Sequence, residues 1–333
     1  MPGIFVTGGA GYIGSHTVLT MLEAGMDVVV YDNLSSGHRE ALPAEVPLVS
    51  GDLNDAAALD RALADHRPDA VVHFAGSIEA GESMTDPKRF YRNNLVNSLN
   101  LADALVAHGS IPLVFSSTAA VYGEPEVMPV SEDAPKVPTN VYGESKLAFE
   151  RVLTAYESAY GLRSISLRYF NACGAYPDGH IGADHRSKTH LLTLAMMVAL
   201  GQLDHIDVYG TDWPTADGTC IRDYIHVCDL ADAHVLALRA LADGAPSRAY
   251  NVGVGRGFSV KEMLDGVDRV VGHAIARRIT ERRAGDPSAL VADSTRIRSE
   301  LGWAAKYTDL DDMIRTAWAW HQRNPNGYAG EGR

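Results

Sequence analysis

Apolar residues in the first half of the chain form short continuous runs, which are separated by longer amphipathic stretches. The runs at 4–8, 27–32 and 69–76 do not alternate with polar residues, which is typical of strands buried on both faces of a sheet. The stretches at 12–24 and 55–66 repeat apolar residues at the spacing of an α-helix. Parallel strands joined by helices form βαβ units, so the pattern predicts an α/β fold with a doubly wound parallel sheet.

The same alternation continues to residue 171 and loosens after it. Up to that point it adds predicted strands at 47–52, 112–117 and 163–171 and predicted helices at 93–108 and 142–160. Beyond it, segments 172–187 and 209–220 are rich in Gly, Asp, Pro and His, which predicts loops. The later predicted elements are helices at 188–200, 229–242, 259–271 and 309–322 and a short strand at 249–253.

Charge and cysteine content exclude several classes of function. The net charge is −13 with no basic block, which argues against nucleic acid as a partner because phosphate binding needs a positive face. The three cysteines, Cys173, Cys220 and Cys228, lack metal-ligand spacing, so we expect no metal site. The N-terminus lacks the pattern of a signal peptide, and the apolar run at 191–201 is shorter than the ~20 residues that span a bilayer. We therefore expect a cytoplasmic protein without a membrane partner.

A glycine-rich turn joins the first predicted strand to the first predicted helix. Gly8, Gly11 and Gly14 have the spacing G-x-x-G-x-x-G, which lets the backbone approach a pyrophosphate at the helix N-terminus. Asp32 ends the second strand, where a carboxylate binds the ribose hydroxyls of NAD and would repel the extra phosphate of NADP. We therefore predict a Rossmann-type NAD-binding domain at 1–171 and a smaller α/β part at 172–333, some segments of which can return to the first domain.

Other cofactor contacts are predicted at the ends of the next strands. Asp52 and Leu53 follow the third strand and are placed to meet the adenine, although a helix cap is an equally good interpretation of Asp52. Phe74, Ala75 and Gly76 end the fourth strand with small residues beside an aromatic one, which leaves room for the cofactor.

Tyr142 and Lys146 lie four residues apart in a predicted helix, so their side chains leave the same face. A lysine charge beside a phenol favours the phenolate and lowers the pKa of the tyrosine, which can make it a base. The alternative is a chance pair on a solvated helix.

Motifs along almost the whole chain resemble the extended short-chain dehydrogenase/reductase family. They include TGGAGYIGSH, YDNLSSG, HFAGSI, FSSTAAVYG, VYGESK, LRYFNACGA, YNVGVG and the long stretch DGTCIRDYIHVCDLADAH, which is the most specific. Within that family the chain is most similar to enzymes that epimerise UDP-sugars at C4. The resemblance implies reversible hydride transfer from C4 to tightly bound NAD, through a 4-keto sugar, which interconverts UDP-glucose and UDP-galactose.

The resemblance also implies roles for individual residues. Tyr142 would be the base, Lys146 would hold the nicotinamide ribose, and the hydroxyl of Thr118 would bind the sugar O4. Further implied cofactor contacts are Tyr12, Ile13, Asn33, Asn93, Ser116 and Phe170. The implied substrate contacts are Thr118, Tyr142, Asn171, His190, Tyr209, Arg222, Arg283, Asp286 and Leu290. The arginines suit a diphosphate, with surface ion pairs as the alternative interpretation, and the alternative for Tyr209 is core packing. A homodimer that pairs helices near 93–108 and 141–160 is also implied.

Three positions depart from the pattern of many relatives. Ile78 stands where many have a lysine, so one cationic contact near the cofactor is expected to be missing. Leu290 is intermediate between the bulky Tyr of some relatives and the small Cys or Ser of others. His190 stands where some have an asparagine that contacts the sugar.

Several other functions remain open at this stage. They are 4-epimerisation of UDP-pentoses or of UDP-N-acetylhexosamines, another NAD-dependent oxidation of a nucleotide-sugar, and a non-catalytic NAD-binding role. Dehydratases of the family need acidic residues after the catalytic Ser/Thr, whereas Ala119 and Ala120 follow Thr118 here.

Overall fold

A parallel β-sheet forms the centre of the computed structural model, which describes residues 3–185, 188–283 and 285–328. The strands in chain order are β1 (Gly3–Thr7), β2 (Asp27–Asp32), β3 (Leu48–Ser50), β4 (Ala70–His73), β5 (Leu113–Thr118), β6 (Ser164–Tyr169), β7 (Asn171–Cys173), β8 (Ile206–Tyr209), β9 (Ile221–His226), β10 (Arg248–Val252), β11 (Gly257–Ser259), β12 (Arg277–Thr280) and β13 (Ala289–Leu290).

Helices connect these strands. In chain order they are α1 (Tyr12–Glu23), α2 (Ala56–His66), α3 (Ala80–Ser83), α4 (Pro87–Tyr91), α5 (Asn97–Ala107), α6 (Val141–Tyr160), α7 (Leu191–Ala199), α8 (Val227–Ala242), α9 (Val260–Val271), α10 (Thr295–Leu301) and α11 (Leu310–Arg323). Short 3₁₀ turns lie at Arg39–Ala41 and Ala119–Tyr122, and a π-helical turn at Arg92–Val96 leads into α5. None of the described helices is both long and apolar enough to cross a membrane.

The central sheet has seven strands in the order β10–β6–β5–β4–β1–β2–β3, all parallel to their neighbours. The chain runs outward in one direction through β2 and β3 and in the other through β4, β5 and β6. The strand order therefore reverses between β1 and β4, and ligands of such sheets bind outside the carboxyl ends of the strands at this point. The predicted fold class is confirmed, and β10 brings a segment of the second half into this sheet.

Apolar side chains cover both faces of the sheet. On one face, helices α1 and α8 pack together and enclose buried residues such as Val6, Val30 and Leu230. On the other, α2, α5 and α6 enclose a second cluster that includes Phe115 and Phe149. Complete burial of one such side chain stabilises the fold by about 1.5–3 kcal/mol. The two layers fix the strand ends that carry the predicted site residues.

The second half builds a smaller unit beside the carboxyl ends of the sheet. Strand β9 pairs with β7, β11 and β13, and β8 pairs with β12. Helices α7, α9 and α11 pack around a core that contains Met196, Met263 and Met313. Because β7 follows β6 almost directly, this unit is joined to the first sheet next to the predicted substrate residues.

Some predicted boundaries were wrong. The predicted loop at 172–187 begins within β7, because Ala172 and Cys173 pair with β9, and its residues 186 and 187 lie outside the described part of the chain. The predicted loop at 209–220 begins with Tyr209, which still pairs with Thr280 at the end of β8. The helix predicted from 188 starts only at Leu191.

Candidate active site

The glycine-rich turn has the shape that a bound pyrophosphate requires. Gly8 has a φ of +74°, and a Cβ there would lie 2.5 Å from the Ala75 nitrogen. A Cβ on Gly14 would overlap the carbonyl oxygen of Gly8, whereas one on Gly11 would meet only that oxygen, at 3.4 Å. Gly11 caps α1 without a side-chain hydrogen bond, and the first turn of α1 has no acidic residue. The turn is therefore open on the ligand side, with free N–H groups and the positive end of the helix dipole facing it.

A cleft of about 400 Å³ lies above this turn. It collects most of the predicted cofactor contacts, which are Gly8, Gly11, Tyr12, Ile13, Gly14, Asp32, Asn33, Asp52, Leu53, Phe74, Ala75, Gly76 and Asn93. The carboxyl ends of β1, β2 and β4 thus supply one wall, as the strand reversal predicts.

The Asp32 carboxylate lies at the end of β2 with only 8% of the residue exposed. It accepts hydrogen bonds from the backbone N–H groups of Ala10 (3.0 Å) and Leu34 (2.8 Å). Burial raises the pKa of Asp32, and these two hydrogen bonds oppose the rise. The backbone contacts hold the carboxylate at the cleft, where it can accept from ribose hydroxyls.

Asp52 also lines the cleft and does not cap the next helix. Its Oδ2 accepts a hydrogen bond of 2.8 Å from the Asn33 side chain, and its Oδ1 accepts one from the N–H of Asn54. The cap of α2 is Asp55, whose side chain accepts from Ala58 N. The helix-cap interpretation of Asp52 is therefore wrong.

An unsatisfied polar atom in the opposite wall points to a bound ligand. The Oδ1 atom of Asn97, which lines the cleft, is buried and has no hydrogen-bond partner among the described residues. Its amide group donates to Asn93 Oδ1 at 3.3 Å, and Asn93 in turn donates to Ser77 Oγ at 3.0 Å. Buried acceptors without partners are rare in native structures, and a ligand hydroxyl would satisfy this one. Together with the open glycine turn, it shows that these residues fit a dinucleotide such as NAD.

The predicted catalytic residues come together at the ends of β5 and α6. Thr118 is the last residue of β5, and its hydroxyl, which accepts from the N–H of Ala120 at 3.1 Å, is near enough to Tyr142 to oppose the rise in the pKa of that phenol. One turn along α6, the Lys146 ammonium donates to the Ser116 carbonyl oxygen at 2.9 Å and lies 4.9 Å from the centre of the Phe115 ring. All three side chains are buried, so a proton removed here stays within the site.

The predicted lowering of the tyrosine pKa by Lys146 is not found in the protein alone. Burial raises the pKa of Tyr142 to about 12, the hydrogen bond from Thr118 opposes this, and the charge of Glu79 adds to it. Burial also lowers the pKa of Lys146 to about 8. Desolvation is the largest cause at both groups, because burial takes both charged forms out of water.

A second cavity of about 480 Å³ holds most of the predicted substrate contacts. These are Asn171, His190, Tyr209, Arg222, Arg283 and Asp286. Arg283 forms a two-pronged ion pair with Asp286 (3.0 and 3.1 Å), while Arg222 Nη2 lies 3.8 Å from the same carboxylate. The guanidinium of Arg283 also lies 5.3 Å from the centre of the Tyr209 ring. Two arginines thus share one acid, which leaves positive charge beside Asp286 that suits an anion, while Glu79, Glu82 and Asp207 also line the same cavity.

Six predicted contacts do not line either of these two cavities, namely the catalytic residues Thr118, Tyr142 and Lys146 and three further residues, Ser116, Phe170 and Leu290. Ser116 is 2% exposed, and its hydroxyl is hydrogen-bonded to the Tyr169 hydroxyl. Phe170 and Leu290 belong to a small apolar cluster behind the catalytic strand end, together with Tyr122 and other buried residues. Ser116, Phe170 and Leu290 pack behind residues of the site, and their contacts with ligands therefore stay predictions.

Sequence reasoning missed several residues that line the cofactor cleft. They are Tyr31, Ser35, Ser36, Gly37, Gly51, Ser77, Glu79, Arg89, Asn97, Tyr169, Asp184 and His185. Glu79 and Arg89 belong to the region of α3 and α4, which are too short to show a helical period in the sequence. The N-N-L-V-N stretch that ends at Asn97 carries no signal of its own, whereas Ser35 to Gly37 lie within a few residues of Asp32 and could have been included.

Known proteins are similar to this chain in sequence and in fold. The UDP-glucose 4-epimerase of Halalkalibacterium halodurans is 47% identical over 330 residues, which is 99% of this chain and 98% of that protein. The crystal structure of UDP-glucose 4-epimerase from Brucella ovis in complex with NAD matches with a TM-score of 0.93 and 46% identity, covering 96% of this chain and 98% of that one. The epimerase of Bifidobacterium longum in complex with NAD⁺ and UDP also matches with a TM-score of 0.93, at 38% identity, covering 98% of this chain and 99% of that one.

These similarities confirm the resemblance inferred from the motifs. A family model described as the NAD dependent epimerase/dehydratase family matches residues 4–253, which include the glycine-rich turn and the Tyr142–Lys146 pair. The chain therefore belongs to the NAD dependent epimerase/dehydratase family.

Proposed function

We propose that the protein is an NAD-dependent 4-epimerase that interconverts UDP-glucose and UDP-galactose. The observation that carries this proposal is the burial of Tyr142 together with Thr118, with Lys146 one helical turn away. Lys146 is next to the cleft that fits a dinucleotide, since its Nζ would lie 3.5 Å from a Cβ on Gly76, which lines that cleft. Relatives of almost the same length bear the name of this activity, and solved neighbours hold NAD and UDP.

In the proposed reaction, Tyr142 takes the proton of the sugar O4 and later returns it. The hydroxyl of Thr118 donates a hydrogen bond to the phenolate, which opposes the rise in pKa that burial causes. NAD, when bound, supplies the acceptor that takes a hydride from C4 and gives it back to the opposite face. The 4-keto sugar forms and turns over between these two transfers, so the configuration at C4 is inverted without net oxidation.

The chain's own charges would hold the two ligands. Asp32 would accept from the ribose hydroxyls and repel the additional phosphate of NADP. Lys146 would hold the nicotinamide ribose. Arg222 and Arg283 would bind the diphosphate of the UDP-sugar, since a guanidinium matches two phosphate oxygens. Asp286, which pairs with both arginines, would then accept from the uridine ribose.

We also propose that the protein forms a homodimer through α5 and α6. The two helices pack side by side, and apolar residues are exposed near them, among them Val96 at 43% and Tyr160 at 56%. An interface built there would cover this surface. Analytical ultracentrifugation would test the proposal, and Val96→Glu should weaken self-association because it would bury a charge.

Purified protein is expected to convert UDP-galactose to UDP-glucose without added cofactor and to release NAD, rather than NADP, when it is denatured. A panel that adds UDP-N-acetylglucosamine and UDP-xylose ranks the alternative sugars. A protein that retains NAD and leaves UDP-galactose unchanged would contradict the proposed function. Recovery of mostly NADP would show that Asp32 does not contact the cofactor ribose.

A further inference from the structure

Glu79 lies where the cofactor cleft and the substrate cavity meet. Ile78 and Glu79 line both spaces, and Glu79 is the charged member of this pair. If the proposed function holds, on which this inference rests, the cofactor and the sugar must touch for a hydride to pass between them. The shared wall therefore borders the reacting end of the sugar, and a carboxylate there faces it.

The carboxylate of Glu79 has an incomplete set of partners among the described residues. Its Oε2 accepts from the Ile78 N–H at 3.2 Å and lies 3.5 Å from Nη2 of Arg89. Arg89 is engaged more closely by Glu82, whose Oε2 accepts from the same nitrogen at 2.7 Å. Only 20% of the Glu79 side chain is exposed, against 44% for Arg89. Because Arg89 is nearer to Glu82 than to Glu79, it neutralises Glu79 only in part, so negative charge remains at the shared wall.

Backbone contacts fix Glu79 relative to the catalytic tyrosine. Its carbonyl oxygen accepts from the N–H of Ser83 at 3.0 Å in the first turn of α3. The hydroxyl oxygen of Ser83 accepts from the N–H of Tyr142 at 3.1 Å, which docks α3 on the start of α6. The charge of Glu79 acts on both sides of the site: it raises the pKa of Tyr142 and partly offsets the lowering that burial causes at His190.

We propose that Glu79 is a further substrate-binding residue, which accepts a hydrogen bond from a sugar hydroxyl and selects against sugars that carry a carboxylate. A carboxylate accepts from hydroxyl groups strongly in a partly desolvated site. The same charge repels an anionic substituent, and such a like-charge contact is an efficient means of discrimination. Neutral hexoses fit this wall, whereas a uronic acid would bring a second carboxylate to it.

The test compares the binding of UDP-glucose and UDP-glucuronate to the NAD-loaded protein by calorimetry. Glu79→Gln keeps the shape of the side chain and removes its charge. The variant should therefore bind UDP-glucuronate about tenfold more tightly, relative to UDP-glucose, than the wild type does. Arg89→Gln removes the positive charge that partly neutralises Glu79. It should therefore weaken the binding of UDP-glucuronate relative to that of UDP-glucose. Unfolding or general damage to the site would move both variants the same way, so opposite shifts identify the charge.

A second readout is the pH profile of kcat. The charged and titratable groups that face Glu79 are Glu82 on α3, Arg89 on α4, Tyr142 on α6 and His190 before α7. Because Glu79 raises the pKa of Tyr142, its removal should shift the acid limb, where the phenol must lose its proton, to lower pH.

Glu144→Gln is the matched control, since it removes one carboxylate from the exposed side of α6, where Glu144 lies 3.6 Å from Arg151. It should leave both the binding ratio and the pH profile as in the wild type. A Kd ratio for Glu79→Gln within twofold of the wild type would overturn the proposal, as would shifts of the same sign in the Glu79 and Arg89 variants. A wild type that binds both nucleotides without epimerising UDP-galactose would overturn the proposed function instead, and the ratio would still decide the role of Glu79.

Discussion

At the scale of single residues, the proposed reaction depends most directly on the hydroxyl of Tyr142. Tyr142→Phe keeps the ring, which lies 6.5 Å from that of Phe90, and removes the base. We expect kcat to fall roughly 10²–10⁴-fold, because that is the usual contribution of a positioned base, while NAD content and the Kd for UDP stay close to the wild type. Tyr156→Phe, which removes a hydroxyl bonded to Asp103 further along the same helix, is the control. Near wild-type turnover of the Tyr142 variant would exclude it as the base.

Leu290 tests how the small apolar cluster behind the site affects the choice of sugar. It is 8% exposed and packs in the cluster that contains Phe170. If this cluster borders the C2 substituent, Leu290→Ser should raise kcat/KM for UDP-N-acetylglucosamine relative to UDP-glucose, and Leu290→Tyr should lower it. Steric discrimination of this kind is about 10–200-fold, so a graded change is expected. A ratio that does not follow side-chain size would place Leu290 outside the sugar pocket.

At the scale of elements, a buried ion pair ties helix α6 to the strands beneath the catalytic residues. Arg168 on β6 donates to both carboxylate oxygens of Glu150, at 2.9 and 2.6 Å, and Ser117, the neighbour of Thr118, donates to one of them at 2.6 Å. Glu150→Ala leaves the Arg168 charge buried without its partner. We expect it to lower the free energy of unfolding by about 3–5 kcal/mol, as measured by urea titration.

An exposed pair on the same helix supplies the comparison. The side chains of Arg151 and Glu144 are 65% and 40% exposed, against 5% and 8% for Arg168 and Glu150. Glu144→Ala should therefore cost less than about 1 kcal/mol. If Glu150→Ala and Glu144→Ala lowered the free energy of unfolding equally, the Arg168–Glu150 pair would be better solvated than its contacts indicate.

The elements that were predicted from sequence are those whose signal is local. Strand β2 at Asp27–Asp32 was predicted without error, and α6 ends at the predicted Gly161, whose φ of +73° suits glycine. Strand β9 was missed because its pairing with β7 and β13 joins segments that are distant in the chain. For the same reason the motifs led to the glycine-rich turn and the Tyr142–Thr118 pair, whereas Glu79 became visible only once both cavities were in place.

At the scale of the whole molecule, the site is assembled from both halves of the chain. The cleft belongs to the carboxyl ends of the central sheet, and the wall with Arg222 and Arg283 belongs to the smaller unit around β9. Strand β10 returns to the central sheet beside β6, and α8 packs against α1, so the halves share a core. The division at residue 171 stays a prediction, and this shared packing leads us to expect a single cooperative unfolding transition.

Six histidines that are neutral in the fold, five in its interior and His185 in the wall of the cofactor cleft, determine how stability depends on pH. Burial lowers the pKa of these imidazoles to about 3 or 4 in His16, His73, His185, His226, His234 and His321. In the unfolded chain each one takes up a proton near pH 6.5. Below that pH the unfolded state binds more protons than the folded state, so stability is lost as the pH falls from about 6.5 to 4. Asp223 has the opposite effect on stability. Burial raises its pKa to about 6, so below that pH the folded state takes up this proton before the unfolded state does, which stabilises the fold.

Burial also raises the pKa of Asp32, Glu132 and Asp229, but the six histidines outnumber these carboxylates, so the net effect is destabilisation in acid. Each histidine that stays neutral in the fold lowers the free energy of unfolding by about 1.4 kcal/mol for each pH unit below 6.5. We expect the urea midpoint to fall steeply between pH 7 and pH 5. His73→Gln, at a buried ring that contacts Thr7 and Ser98, should reduce that slope by the share of one histidine, whereas His273→Gln at an exposed position should not. A midpoint that is constant from pH 7 to pH 5 would show that the buried imidazoles accept protons within the fold.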